Sequence, residues 1–208
     1  LLAGILTAAE YFPETKVAEL AKTIYGRIDF AWMQNGTPFL SMGWQKESGF
    51  IPSYWSGYDE GLLLYILAIG SPTHPIAAES WGKVKKSVVR REGETFVHAG
   101  PLFIHQYPQV WLDLRNKNDG FTDYFENSKR STRANKKFSD SLDREFKTYA
   151  AGYWGLSASD GPFGYKAYGA SDNNSHDGTV SVLAAGASIV FEPELAVAQM
   201  QKVYANLK

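Results

Sequence analysis

Glu60 is the residue of this sequence whose setting best suits proton-transfer chemistry. It opens the most apolar stretch of the chain, in the segment Trp55-Ser56-Gly57-Tyr58-Asp59-Glu60-Gly61-Leu62. A helix N-terminus favours the charged carboxylate, whereas removal from water favours the neutral acid. If desolvation dominates, Glu60 can donate a proton at neutral pH, which is what cleavage of a glycosidic bond requires. The alternative is that Asp59 and Glu60 only satisfy backbone N–H groups at the start of a helix.

Two aspartates in the C-terminal half are further candidates for contact with a polar ligand. Asp160 lies in Ser159-Asp160-Gly161-Pro162, and Asp177 lies in Asp177-Gly178-Thr179. An aspartate before glycine is also typical of a turn, and Asp177 could equally cap the helix that follows it. The sequence alone leaves both interpretations open.

His105 and Gln106 are adjacent polar residues on a predicted helix, where they could donate hydrogen bonds to a substrate. Their neighbours along the helix are large and apolar. A histidine in such a setting is also typical of a hydrogen-bonded core residue. Direct binding and a core role are therefore the two hypotheses for this pair.

Aromatic residues make up 14% of the chain and concentrate in its long connections, 34–57, 84–99 and 152–178. Loops of this length are uncommon in compact domains unless they carry function. Flat rings bury a large area at a small entropic cost, which suits the apolar faces of sugars. Trp55, Trp154 and Tyr165 are therefore predicted to bind saccharide, the alternative being that each ring only holds its loop against the scaffold.

Composition and motifs exclude several other classes of function. The formal charge of −1 favours neither nucleic acid nor an acidic membrane surface as a partner. The chain has no cysteine, no glycine-rich phosphate loop and no apolar run of the roughly 20 residues that a membrane span needs. Segment 172–178 resembles a calcium loop, but its glycine comes one place late and Leu183 stands where the loop requires Glu. We therefore predict no metal site and no glycine-rich phosphate-binding site.

The elements that position these residues are predicted to be helices. Apolar residues recur at helical spacing in about seven segments, and strand-like alternation is scarce. The predicted helices cover 1–10, 17–31, 59–69, 103–114, 124–138, 180–191 and 193–207. Pro108 lies inside the fourth of these and should kink or delay it. The fold class is therefore predicted to be all-α, with the aromatic loops gathered at the helix ends.

Long strings of this sequence resemble the glycoamylase-like conserved domain, a family that includes the endo-β-1,2-glucanases of glycoside hydrolase family 144. The strings are Gly57-Tyr58-Asp59-Glu60, Leu64-Tyr65-Ile66-Leu67-Ala68-Ile69-Gly70-Ser71-Pro72-Thr73-His74-Pro75, Ala99-Gly100-Pro101-Leu102-Phe103-Ile104-His105-Gln106-Tyr107, Asp123-Tyr124-Phe125-Glu126-Asn127-Ser128, Trp154-Gly155-Leu156-Ser157-Ala158-Ser159-Asp160-Gly161-Pro162 and Phe191-Glu192-Pro193-Glu194. The resemblance implies an (α/α)6 toroid that hydrolyses saccharide without metal or organic cofactor. It also implies that Glu60, which matches the Glu of the family's Tyr-Asp/Asn-Glu motif, is the general acid.

The resemblance further implies that residues 1–208 are the C-terminal part of a glycoamylase-like catalytic domain, because the complete toroid has twelve helices. The missing N-terminal part should then cover apolar ends of this chain, which the sequence places at Leu1, Leu2, Ile5 and Leu6 and at Met200, Val203 and Leu207. Asp160 and Asp177 are the candidates within this chain for a second essential carboxylate. The expected protein is periplasmic or secreted and bacterial.

Endo-hydrolysis of β-1,2-glucan is the first hypothesis for the activity. Transglycosylation, in which a sugar hydroxyl replaces water as the acceptor, is an alternative within the same chemistry. A saccharide-binding module without catalysis is the alternative from a different class. An oligo- or polysaccharide is the expected partner in all three cases.

Overall fold

The computed structural model describes residues 1–171 and 176–206, and the chain divides into two compact units, Leu1–Lys86 and Ser87–Lys208. Helices supply most of the regular structure in both units. Short antiparallel strand pairs occupy parts of the long connections. The all-α prediction is therefore correct for the scaffold and wrong for the connections.

The first unit is built from small helices and one short strand pair. Its elements are α1 (Leu2–Tyr11), α2 (Lys16–Gly26), α3 (Phe30–Met33), β1 (Trp44–Gln45), β2 (Gly49–Phe50), α4 (Leu62–Ile69) and α5 (Glu79–Lys83). Helices α1 and α2 pack through Ala9, Ala18 and Ala21, with Ile5 beside them. Small side chains at these positions let the two helices approach closely.

The single helix predicted over 17–31 is divided in two, because Asp29 begins a new helix. Its carboxylate accepts the N–H of Trp32 at 2.8 Å, and aspartate is favoured at a helix start over a helix interior. The apolar stripe of α2, formed by Val17, Leu20 and Ile24, is exposed. The buried face of α2 is the alanine face instead.

The second unit carries the longest helix and two strand pairs. Its elements are β3 (Val88–Arg91), β4 (Glu94–Val97), α6 (Phe103–Trp111), α7 (Tyr124–Ser141), α8 (Lys147–Ala150), β5 (Ala158–Gly161), β6 (Gly164–Ala167), α9 (Val182–Ala187), a 3₁₀ turn (Ser188–Val190) and α10 (Pro193–Asn206). Helix α6 runs through Pro108 and ends three residues before the predicted Leu114. The predicted helices over 124–138 and 193–207 are confirmed as α7 and α10.

Helix α7 holds two connections in place through buried asparagines. The Asn127 side chain accepts the N–H of Val97 at 2.7 Å and donates to its carbonyl at 3.2 Å. Asn135 makes the same pair of bonds with Leu156, both at 3.0 Å. Each amide thus replaces a neighbouring strand, which satisfies backbone groups that would be costly to bury unpaired. The polar composition of α7 has this structural cause in addition to its solvated cationic face.

Each long connection contains one hairpin within the described residues, and the register of each is well defined. Trp44 lies opposite Phe50 in β1–β2, and Asp160 lies opposite Tyr165 in β5–β6. In β3–β4 the turn residues Glu92 and Gly93 both have positive φ, of 50° and 79°, as the favoured two-residue hairpin turns require. These strands have two to four residues, too few for an alternating pattern to be recognised in the sequence.

The chain ends are partly uncovered, as predicted. Leu1 is fully exposed, whereas Leu2, Ile5 and Leu6 are half-buried. Met200 is exposed on α10, and Leu207 lies outside the described residues. Across residues 1–171 and 176–206, no helix combines the length and apolar character needed to cross a membrane.

Candidate active site

Glu60 lies in a tight turn that leads into α4. The predicted helix over 59–69 would place Glu60 in its first turn. The observed helix begins at Leu62, so Glu60 lies two residues before it. The Glu60 side chain is half-buried. It can therefore reach a ligand while being partly withdrawn from water.

Asp59 stabilises this turn and is an unusual carboxyl group in its own right. Its Oδ1 accepts the N–H of Gly61 at 2.8 Å, which confirms for Asp59 the alternative that the pair satisfies backbone N–H groups. Burial raises the pKa of Asp59 to about 6, against the lowering effect of the Gly61 hydrogen bond and with a further increase from the charge of Glu60. Sequence reasoning missed Asp59 as a titrating group, although two adjacent carboxyls before an apolar run were a visible signal.

Trp55 packs on the same turn because Gly61 has no side chain. A Cβ at Gly61 would lie 2.7 Å from Asp59 Oδ1 and 3.2 Å from Trp55 Cε3. The backbone of Trp55 is fixed on both sides: its N–H donates to Leu40 at 2.9 Å and its carbonyl accepts the Tyr65 hydroxyl at 2.7 Å. The ring is half-buried, so a saccharide contact and a loop-holding role are both compatible with its position.

The β5–β6 hairpin presents an aspartate and an aromatic ring side by side. Asp160 and Tyr165 are directly opposite in the register, so their side chains share one face of the hairpin. Asp160 is exposed and Tyr165 is 69% exposed, and Phe163 at the hairpin turn is 82% exposed. This hairpin therefore brings together two predicted ligand contacts, Asp160 and Tyr165. Phe163 is a further exposed ring at its turn and was not among the predicted ligand contacts.

The Asp177 carboxylate accepts hydrogen bonds from three residues of the described chain. Its Oδ2 accepts the Tyr168 hydroxyl at 2.7 Å and the Lys166 ammonium at 3.3 Å, and its Oδ1 accepts the Thr179 N–H at 3.1 Å. Burial acts to raise its pKa, but the hydrogen bonds from Thr179, Tyr168 and Lys166 outweigh burial and lower the pKa to about 2. The helix-cap alternative is wrong, because Ser181 caps α9 by accepting the Ala184 N–H.

His105 and Gln106 are buried residues, as the core alternative expects, and their contact with substrate stays a prediction. His105 is fully buried, and burial lowers its pKa to about 3, so the ring is neutral. Its Nδ1 lies 3.4 Å from the amide of Asn127. The amide nitrogen of Gln106 donates to the Ala184 carbonyl at 2.7 Å and to the Ser188 hydroxyl at 2.9 Å. Both side chains support the packing of α6.

Trp154 is also a buried residue. Its ring is 1% exposed and packs with Leu102, Ala184 and Ala185. Gln199 donates to its backbone carbonyl at 3.3 Å. The observed packing agrees with the alternative for Trp154, a ring that fixes its loop, and its sugar-stacking role stays a prediction.

The predicted site residues thus form two local groups. Trp55 and Glu60 belong to the first unit, and Asp160, Tyr165 and Asp177 belong to the second. Within residues 1–171 and 176–206, no three His, Asp or Glu side chains are grouped as ligands of a metal ion. Residues 172–175 of the calcium-like segment lie outside the described residues.

Comparisons with known proteins place this sequence among saccharide-active proteins. The model of the glycoamylase family, described as "Putative glucoamylase", matches residues 52–208. An exo-β-1,2-glucooligosaccharide sophorohydrolase (non-reducing end) of Parabacteroides distasonis is 24% identical over 99% of this chain and 33% of its own length. A solved structure of the endo-β-1,2-glucanase of Chitinophaga pinensis, in complex with sophorotriose and glucose, is 28% identical with a TM-score of 0.91.

The same alignments show how much of those proteins this chain represents. The alignment with the Chitinophaga pinensis structure covers 99% of this chain and 54% of that structure's chain. A β-1,2-glucanase structure from Parabacteroides distasonis shares the fold, with a TM-score of 0.90 at 24% identity, and is covered over 34% of its length. The chain therefore spans between a third and about half of these relatives.

Proposed function

The chain belongs to the glycoamylase family, and we propose that it is part of a glycoside hydrolase that cleaves β-1,2-glucan internally, with Glu60 as the general acid. The names of the relatives support β-1,2-glucan as the substrate class. The resemblance to the glycoamylase-like domain suggests two further parts of the proposal, cleavage at internal bonds of the glucan and an (α/α)6 toroid. The predominance of helices in the described chain is compatible with that toroid.

One observation carries the assignment of Glu60. The neighbouring carboxyl of Asp59 has its pKa raised to about 6, chiefly by burial. Burial therefore limits the solvation of this turn at the Asp59 carboxyl. Glu60 occupies the same turn with a half-buried side chain, and it has the longer reach of the two acids.

The proposed reaction needs a proton donor and a group that receives a proton from water. Glu60 donates its proton to the glycosidic oxygen as the bond from that oxygen to the anomeric carbon breaks, and it becomes a carboxylate. Water forms the new bond to the anomeric carbon and releases its proton to a second carboxylate. Asp160 and Asp177 are the candidates within this chain, and acidic residues upstream of Leu1 are candidates outside it.

The other predicted ligand contacts are proposed to bind saccharide, each within its own unit. Tyr165 offers an exposed ring beside Asp160, and such a pair can stack on a sugar face while accepting a hydroxyl hydrogen bond. Asp177 is ionised over the whole neutral range, which makes it a permanent hydrogen-bond acceptor. Trp55 contributes a half-buried ring next to the turn of Glu60.

We also propose that a segment upstream of Leu1 completes the domain and covers the exposed stripe Val17, Leu20 and Ile24. Exposed aliphatic residues at helical spacing normally face another helix. Expression of the 208 residues alone should give an associating, inactive protein, and addition of the upstream segment should give a monodisperse, active one. A 208-residue chain that is monomeric and hydrolyses glucan would contradict this proposal.

We propose that the protein is located in the periplasm or is secreted into the medium. Fractionation of the producing bacterium tests this location.

A saccharide-binding module is the second candidate function, because the chain spans only part of the length of its relatives. Hydrolysis assays separate the two. The full-length protein should release oligosaccharides from β-1,2-glucan and not from β-1,3- or α-1,4-glucan. Glu60→Gln should lower kcat by about 10²–10⁴-fold, the usual effect of a general acid, whereas the exposed control Glu145→Gln should not. Glucan binding without hydrolysis by the wild-type protein would support the module instead.

A further inference from the structure

An exposed group of aromatic rings in the first unit is used by none of the roles described above. Trp32 on α3 and Trp44 on β1 are 49% and 50% exposed. The Trp32 ring centroid lies 4.6 Å from that of Phe50 and 6.0 Å from that of Trp44, with interplanar angles of 50° and 59°. We call Trp32, Trp44 and Phe50 the aromatic platform.

The backbone beneath the aromatic platform is well anchored, so the exposure of its rings does not reflect a loose end. Trp44 and Phe50 are cross-strand partners. Trp32 donates its N–H to the carboxylate of Asp29. Gly49 supplies the positive φ, 77°, that the hairpin needs at this position. The rings are thus presented at fixed positions, which lowers the entropic cost of binding a ligand.

The aromatic platform and Trp55, which packs against Gly61 beside Glu60, are joined by one continuous ribbon. The pairing of Trp44 with Phe50 continues through the hydrogen bonds Ile51 N–H to Gly43 O at 3.0 Å and Met42 N–H to Ser53 O at 2.9 Å, and ends with Trp55 N–H to Leu40 O at 2.9 Å. Trp44 is four positions from Leu40 in the sequence, which is on the order of 13 Å along a strand. The aromatic platform is therefore a few sugar residues away from Trp55 along the same ribbon.

The chemistry of the aromatic platform suits a neutral saccharide better than another helix. Indole and phenyl rings offer flat faces to the C–H surfaces of pyranose rings. The hairpin turn beside them carries one cation and one anion, Lys46 and Glu47, and a Ser48 hydroxyl bonded to Gln45 at 2.8 Å. The stripe on α2 differs, because its aliphatic residues at helical spacing have the form of a helix-packing surface.

We propose that the aromatic platform is a remote binding site for a neutral β-glucan chain whose cleaved bond lies at Glu60. This assignment of the aromatic platform rests on the proposed function, since its ligand is the same β-1,2-glucan that Glu60 is proposed to cleave. A remote site of this kind contributes only when the chain is long enough to reach it. It therefore distinguishes polymeric glucan from short oligosaccharides.

The test compares Trp44→Ala with wild type in the full-length protein on two substrates, long β-1,2-glucan and a β-1,2-linked trisaccharide. We expect kcat/KM to fall about tenfold on the polymer, as for the loss of one aromatic contact, and to change less than about twofold on the trisaccharide. Trp44→Phe should recover most of the loss. The control Phe121→Ala removes an equally exposed ring in the other unit and should change neither value.

Three results would overturn the proposal. Equal losses on both substrates, with a lower melting temperature, would make Trp44 a structural residue. No loss on either substrate would remove the aromatic platform from binding. Aggregation of both Trp44 variants would show that another part of the chain covers these rings. If wild type hydrolyses neither substrate, the proposed function fails, and affinity electrophoresis of Glu60→Gln with and without Trp44→Ala then decides the binding claim separately.

Discussion

Asp59 and Asp177 are both partly withdrawn from water, and their acidities move in opposite directions. In the turn before α4, burial raises the pKa of Asp59 to about 6, since one backbone N–H is opposed by the charge of Glu60. In the loop before α9, burial also acts to raise the pKa of Asp177, but hydrogen bonds from Thr179, Tyr168 and Lys166 lower it to about 2. The Asp59 carboxyl accepts one backbone N–H, whereas the Asp177 carboxylate accepts hydrogen bonds from Thr179, Tyr168 and Lys166, and these outweigh its burial.

This difference assigns distinct chemistry to the two regions. The Asp59 carboxyl, with its pKa raised to about 6, is suited to holding and releasing a proton near neutral pH. The loop of Asp177 is suited to accepting hydrogen bonds, because its carboxylate stays charged. A glycosidase needs both kinds of carboxyl group.

The largest effect on stability is expected when the donors around Asp177 lose their acceptor. Asp177→Ala leaves the Tyr168 hydroxyl and the Thr179 N–H without their carboxylate and removes the ion pair with Lys166. We expect the free energy of unfolding to fall by about 3 kcal/mol, from the loss of hydrogen bonds to a charged group. Urea denaturation measures this, with the exposed Asp160→Ala as the control. Equal midpoints for the two variants would show that the Asp177 network contributes nothing to stability.

A smaller effect is expected when the packing of the other region is disturbed. The Cβ of Gly61→Ala would approach Asp59 Oδ1 to 2.7 Å and the Trp55 ring to 3.2 Å. We expect a loss of about 1.5 kcal/mol from overpacking, together with at least a tenfold loss of glucan hydrolysis, because the turn that carries Glu60 must shift. Gly57→Ala is the matched control, since its Cβ would meet nothing within 4 Å. Full activity of Gly61→Ala would separate the geometry of this turn from catalysis.

The smallest effect is a change in the pH dependence of stability. The pKa of Asp59 is raised in the folded state from 3.8 to about 6, so its ionisation lowers stability as pH increases through this interval. The pKa of Asp177 is lowered from 3.8 to about 2, so its contribution is present above about pH 4 and is lost as pH falls toward 2. The stability of Asp59→Asn relative to wild type should therefore increase from pH 4 to 6. Thermal melts of both proteins measure this. A difference in melting temperature between Asp59→Asn and wild type that stays constant from pH 4 to 6 would contradict the raised pKa of Asp59.

Much of the scaffold could be predicted from periodicity, and the exceptions have identifiable causes. Helices α7 and α10 follow long patterns with clear starts, at Asp123 and at Pro193. The strands of the hairpins are too short to show a pattern. The break before α3 depends on a single capping residue, Asp29, whose preference outweighed a continuous apolar stripe.

The exposure of the candidate site residues could be predicted where it follows from local sequence, but not where it depends on packing between distant segments. Tyr165 and Asp160 lie near a turn marked by glycine and proline, and they are exposed as their proposed role requires. Trp154 and His105 are equally typical of a binding site by residue type, but distant residues on other helices bury them. The effect of Tyr168 and Lys166 on Asp177 likewise depends on the register of a hairpin that the sequence did not reveal.

The most direct test of the central claim, that Glu60 is the general acid, compares two leaving groups. Protonation matters for a sugar leaving group and matters little for dinitrophenolate, which departs without it. The full-length Glu60→Gln protein should lose about 10²–10⁴-fold in kcat on β-1,2-glucan and less than about tenfold on a dinitrophenyl β-1,2-linked disaccharide. Equal losses on the two substrates, or full activity on both, would contradict the assignment of Glu60.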